Sequence, residues 1–226
     1  MPKTYKIIYD EQELQKFVEW LPELKKHETY YVSLLARRKY CKALSEDKII
    51  VKRFTSEKTR LIDKIRHLEA VYGCYLDGKR NPIPQEALAL YISVNPRNLE
   101  AAALESAKLL LDKVTKPYTN YIPHKIVLST IQKTRGTRYF VDIDFDDGEI
   151  ETEKLIKLIS DYLDQSTFNI LKTRGGYHIL VRVKEAAKKN KMWFKELQKE
   201  VDFDMKGDNL IPVPGCCQGS FSPILY

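Results

Sequence analysis

Apolar and polar positions alternate with two different periods along this chain, and the switches between them mark out its elements. Leu14, Phe17, Val18 and Leu21 recur at i, i+3, i+4 and i+7, which puts one apolar stripe on a helix. Asp10 followed by Glu13 resembles a capping box with Asp in place of Ser or Thr, and Pro22 ends the helix. Tyr30–Ala36 is β-branched and aromatic and predicts a strand running into Arg37-Arg38-Lys39, with Lys48–Phe54 as its partner. Ser56 caps a predicted helix carrying Leu61, Ile62, Ile65 and Leu68, which Gly73 terminates. Leu88–Val94 predicts a buried strand broken at Asn95-Pro96, and Asn98 caps a helix through Leu109, Leu110 and Val114. Lys113–Tyr121 predicts a connector around Pro117.

From residue 138 the order becomes regular. Strand Arg138–Phe145 is followed by a helix capped at Thr152, with Leu155, Ile156, Ile159, Tyr162 and Leu163 on one side. Strand Phe168–Lys172, the turn Thr173-Arg174-Gly175-Gly176 and strand Tyr177–Val183 come next, the Gly-Gly pair supplying the backbone freedom of a tight hairpin. Asn190–Val201 predicts a helix on Trp193, Leu197 and Val201, and Leu210–Val213, interrupted by Pro212, predicts an edge strand. The order β-α-β-β-α-β predicts an α+β fold. Residues 121–226 form an RRM-like, ferredoxin-like βαββαβ core, packed against an N-terminal α/β module over residues 1–120. In the usual form of that arrangement the first and third strands are antiparallel neighbours and the fourth borders the first.

The strand at 139–147 changes the picture from fold to chemistry. Asp142, Asp144 and Asp146 alternate with Val141, Ile143 and Phe145, so the carboxylates share one face. Like charges so arranged repel, and a divalent cation is the usual reason to tolerate them; a strand end entering an Asp-Asp-Gly turn is the plainer account. The topology brings Thr173, Arg174 and His178 to the same end of the sheet, with Arg182 on the face of His178 and Asp208 at the start of the last strand. Paired carboxylates beside a Thr/Arg/His cluster suit metal-assisted phosphoryl chemistry, the cluster holding a triphosphate. Hard oxygen ligands point to Mg²⁺ or Mn²⁺ in a two-metal site. Asp142, Asp144 and Asp208 are the candidate ligands, Asp202 and Asp204 compete with Asp208 for the third place, and Asp146 falls to a turn role.

Composition bounds the rest. The 226 residues are 31% charged and 43% hydrophobic, with no apolar run approaching the roughly 20 residues of a membrane span. No cleavable leader is legible, so a cytoplasmic location, in a prokaryotic or viral setting, is expected. A net charge of +7 favours an anionic partner, and Arg37, Arg38 and Lys39 beside Tyr40, together with Arg97, are candidates for contact with nucleic acid. The four cysteines offer no zinc spacing, and no phosphate-binding loop consensus is present.

On these residues the chain resembles the catalytic core of the archaeo-eukaryotic primase superfamily, which includes the primase-polymerases. Val141-Asp142-Ile143-Asp144 is similar to its hydrophobic-Asp-hydrophobic-Asp motif, and Thr173-Arg174-Gly175-Gly176-Tyr177-His178 to its second motif, which leads to a His on a strand. Asp208 with Asn209-Leu210-Ile211-Pro212-Val213-Pro214-Gly215 is similar to the third, with Asn209 where the family commonly has Arg. The resemblance spans residues 138–215 and implies a DNA primase or polymerase. It would act on single-stranded or primed DNA with nucleoside triphosphates, Asp142 and Asp144 on metal and His178 on the incoming phosphates. A separate helicase or accessory subunit is an expected partner; zinc and membrane are not. Two other functions fit the same residues, a non-catalytic nucleic-acid-binding or replication-initiator protein and a metal-dependent nuclease.

Overall fold

The structure, a computed structural model, describes residues 3–116, 122–146, 150–189, 193–200 and 209–226, without the side chains of 187–189 and 199–200. Helix α1 (Glu11–Trp20) starts where Asp10 accepts from the Glu13 amide, and it turns Leu14, Phe17 and Val18 inward. Glu13 does not complete the capping box; its carboxylate accepts instead from the amide of Leu225 at the far end of the chain. Strand β1 (Glu28–Arg37) is buried over all but its ends and pairs antiparallel with β2 (Lys48–Ser56). Helix α2 is shorter than the apolar spacing predicts, spanning Leu61–Arg66 after a 3₁₀ turn, and Ser56 belongs to β2 rather than to a cap.

Strand β3 (Leu88–Ser93) is wholly buried, the two-residue β4 (Arg97–Asn98) pairs with β1, and α3 (Leu99–Val114) is capped by Asn98 onto the Ala101 amide. Helix α4 (Pro123–Lys133) packs against α3 and has no counterpart among the predicted elements. Strand β5 (Phe140–Phe145), α5 (Thr152–Ser160), β6 (Phe168–Lys172) and β7 (Tyr177–Arg182) follow within a residue or two of their expected places. Helix α6 (Val183–Lys189) begins where the strand was expected to run on to Val183, and α7 (Trp193–Glu200) holds the expected Trp193 and Leu197 inside. The chain closes with β8 (Leu210–Pro212) and β9 (Ile224–Leu225).

The protein is mixed α+β with two antiparallel sheets, ordered β2-β1-β3-β8 with β4 beside β1, and β5-β7-β6-β9. The split arrangement expected for the second half holds for β5, β7 and β6 but not for the last strand. Leu210–Pro212 pairs with β3 of the first sheet, not with the acidic strand β5. Two hydrogen-bonding demands account for this. Strand β3, buried throughout, needs partners on both edges, and β8 with the tail behind it supplies the second: Val213 and Leu90, Leu90 and Cys217, and Gly219 and Leu88 exchange backbone bonds. The free edge of β5 is meanwhile met at its start by one side chain. The amide of Asn95 accepts from Tyr139 N and Phe140 N at 2.9 Å each and donates to Phe140 O at 3.0 Å.

The core crosses the expected boundary near residue 120. Phe140, Leu171 and Leu180 of the second sheet pack in one cluster with Leu14, Phe17, Leu90, Val213, Cys216 and Cys217. Trp20 joins them, stacked on Phe140 at 4.7 Å and donating to Asn169. The other face of the second sheet carries Ile143, Phe145, Ile179 and Val181 against Leu155, Ile159, Trp193 and Leu197 of α5 and α7. The first face of β5, bearing Asp142 and Asp144, is thereby turned toward the first sheet. Among the described residues no helix is long and apolar enough to cross a membrane.

Candidate active site

Register builds the site. Strands β5 and β7 pair antiparallel with Asp144 opposite His178 and Asp142 opposite Leu180, so the imidazole stands between two carboxylates two residues apart. His178 Nδ1 lies 2.9 Å from Asp142 Oδ1, and its Nε2 lies 3.9 Å from Asp144 Oδ1. Asp142 is 1% exposed, and its second oxygen has no hydrogen-bond partner among the described residues. A buried carboxylate oxygen left in this state is costly, and a cation would satisfy it. Asp142 with the partly exposed Asp144 therefore fits a hard divalent ion. The described residues do not hold a group of three or more side chains able to bind a metal. The expected third ligand, Asp208, and its competitors Asp202 and Asp204 lie outside the described residues.

The hairpin that delivers His178 is held by its own turn. Thr173 Oγ1 donates to Gly176 O at 3.0 Å and accepts from Gly175 N, while Thr173 N donates to Gly176 O. Gly176 has φ +155°, and a Cβ there would lie 2.2 Å from Phe145 O, so only glycine lets the turn press against the end of the acidic strand.

The two sheets enclose a cleft of about 410 Å³. Asp144, Asp146, His178, Thr173 and Gly175 line one wall, Arg37, Lys39 and Lys48 another, and Leu35, Tyr91, Leu210 and Pro212 the floor. Arg37 and Lys48 reach it together because they are opposed across the β1–β2 pair. None of the three cations has a carboxylate at ion-pair distance among the described residues, and Arg37 Nε is buried without a hydrogen-bond partner. Burial, then the neighbouring Tyr40, pushes the Tyr91 hydroxyl above its usual pKa, while Arg37 acts in the opposite sense.

Not every candidate from the sequence converges here. Asp142, Asp144, Thr173, His178, Arg37 and Lys39 do. Arg174 is exposed beside the cleft, its guanidinium over the ring of Tyr40. Arg182 shares the face of His178 but sits four residues along, about 13 Å by strand rise, over the rings of Phe140 and Trp20. Arg38 pairs with the exposed Asp47 at 3.5 Å. Arg97 is 2% exposed, so it lies inside the protein rather than on a surface that a strand of nucleic acid could follow. Asp146, expected at a turn, stands on the cleft wall.

Sequence reasoning missed Lys48, Tyr91, Gln132 and Gln218, which also line the cleft. Lys48 was within reach, since pairing Arg37 with the first residue of the next strand places it there. Gln132 comes from the unpredicted α4 and Gln218 from the tail, and no local signal marks either. Comparisons with protein-family models, with curated proteins and with solved structures return no match to this chain.

Proposed function

We propose that this protein is a template-directed nucleotidyltransferase of the primase-polymerase kind, extending a 3′-hydroxyl with release of pyrophosphate. The observation that carries the reading is a cleft with a carboxylate wall and a wall of three cations lacking carboxylate partners among the described residues. A polyphosphate substrate fits such a gap because it brings negative charge to the cations and shares a metal with the carboxylates. Asp142 and Asp144 would hold Mg²⁺ or Mn²⁺, which activates an attacking hydroxyl and neutralises a leaving pyrophosphate.

The remaining work falls to this chain's own side chains. Arg37, Lys39 and Lys48 draw the phosphates in and orient them. Asp142 fixes the ring of His178, so that its other nitrogen faces the cleft beside Asp144. Leu35 and Tyr91 offer an apolar floor for a base or sugar face.

The test supplies Mn²⁺ or Mg²⁺, labelled nucleotides and either bare single-stranded DNA or a primed template. Incorporation on the primed template supports polymerase activity, and products on the bare strand add priming. Asp142→Ala and Asp144→Ala must each abolish it; incorporation that survives both removes the carboxylates from the reaction. A second reading, a non-catalytic nucleic-acid-binding protein, draws on one observation. His178 already offers both carboxylates a cationic neighbour when protonated, without a metal. DNA binding with no incorporation under Mn²⁺ would favour it, and metal-dependent shortening of the strand would favour a nuclease.

A further inference from the structure

Arg174 and Lys39 come from different sheets, yet both rest on one ring. The Arg174 guanidinium carbon lies 5.0 Å from the centre of the Tyr40 ring, and Lys39 Nζ lies 5.1 Å from the same centre. An aromatic face attracts a cation, but two cations on one ring repel each other, and an anion beside both relieves that repulsion. Stacking occupies the flat face of the guanidinium and leaves its edge donors directed outward, and no described residue takes a hydrogen bond from them.

The ring itself is held from three sides. Tyr40 OH lies 3.1 Å from Tyr91 OH and accepts from Gln218 Nε2 at 3.0 Å. The other end of the Gln218 amide accepts from the backbone N–H of Arg174 at 2.7 Å. One side chain, buried to 4% exposure, thus ties the platform to the residue stacked on it. Gly219, next in the chain, completes the slot, since a Cβ there would lie 2.2 Å from Arg174 Nη1.

We infer that Lys39 and Arg174 form a polyphosphate-binding subsite at the rim of the cleft, with Tyr40 as its platform and Gln218 as the residue that positions it. The ligand class is the terminal phosphates of a nucleoside triphosphate, and in that respect the inference rests on the function proposed above. Tyr40 and Gln218 act through the two cations and touch no reacting atom.

Calorimetric titration of the whole chain with inorganic tripolyphosphate, without metal and at low salt, tests this directly. Tyr40→Leu removes the platform and raises the Kd about tenfold, the scale of a desolvated cation–aromatic contact. Tyr40→Phe keeps the ring and stays within about twofold, whereas Gln218→Leu weakens binding about threefold. Affinity for a single-stranded oligonucleotide stays within about twofold in all three, and in primer extension the KM for nucleotide rises while kcat holds. Should Tyr40→Leu fail to fold, Arg174→Lys, which keeps the charge and loses the stack, raises the tripolyphosphate Kd about fivefold. Unchanged tripolyphosphate binding in a folded Tyr40→Leu or in Arg174→Lys overturns the inference. So does an equal loss of oligonucleotide affinity, which would make the rim a general basic surface. If the variants lose tripolyphosphate while the wild type incorporates no nucleotide, the subsite stands and the nucleotidyl-transfer reading falls.

Discussion

The contact between Asp142 and His178 sets what can be asked of single residues. A carboxylate that is 1% exposed, with one oxygen on an imidazole at 2.9 Å and the other without a partner among the described residues, is incompletely satisfied. A bound cation would complete it. Mn²⁺ is therefore expected to raise the Tm of the wild type, and at a hundred times its Kd the gain is about 2.7 kcal/mol. Asp142→Asn removes the shift. A thermal melt that ignores Mn²⁺ in the wild type would sink the metal assignment. His178→Ala takes away a charge-assisted bond and strands a buried carboxylate, so urea unfolding should show a loss of about 1.5–3 kcal/mol. Strand alternation made these residues legible in the sequence, because it fixes which side chains share a face and antiparallel pairing fixes what stands opposite. The environment of Arg174 was not legible. Its partners Tyr40 and Gln218 are 134 and 44 positions away, taking 174 − 40 and 218 − 174, and nothing local predicts contacts over such separations.

At the scale of elements, two small devices place the acidic strand. The Thr173–Gly176 turn meets its end through Gly176, and Asn95 meets its start with three hydrogen bonds. Gly176→Ala would drive a methyl into Phe145 O and should cost about 1–3 kcal/mol in urea unfolding, while Gly175→Ala, with nothing within 4 Å, stays near neutral. Equal effects would mean that the turn does not bear on the strand. Asn95→Ala leaves two backbone donors and one acceptor of β5 unmet and is expected to cost about 2–3 kcal/mol. Its signature is faster hydrogen exchange at Tyr139 and Phe140 than at Ile143, and uniform exchange would place the loss elsewhere. The strands and both Asp and Asn caps could be read from periodicity because their causes are local. Helix α4 could not, since most of its side chains are only partly buried and its apolar period is weak. The partner of β8 was also beyond reach, because the choice between β3 and β5 depends on which edge still lacks hydrogen bonds.

For the molecule as a whole, the two sheets share one core, and at its centre lie Cys216 and Cys217, both 0% exposed. Burial pushes the Cys217 thiol up to about 12 and that of Cys216 well above its usual value. Burial likewise raises Tyr75 to about 12 and lifts Tyr30 and Tyr91 above their ordinary range. Each group is neutral in the folded state and ionises first in the unfolded chain, where a thiol titrates near 8.5. Unfolding therefore releases protons above that pH. The stability these thiols contribute is complete below about 8.5 and is lost as the pH rises toward the folded values, at about 1.4 kcal/mol per unit for each group. Urea unfolding between pH 7.5 and 10.5 should accordingly show a midpoint that holds and then falls, with the decline beginning at the thiols before the tyrosines join. Replacing both cysteines with alanine lowers stability at neutral pH by opening space in the core, yet it flattens the first part of that decline. The slope, not the absolute stability, is the diagnostic quantity. A wild-type midpoint that holds level to pH 10, or a double variant with the same slope, would show that the thiols do not stay protonated at the junction of the two sheets.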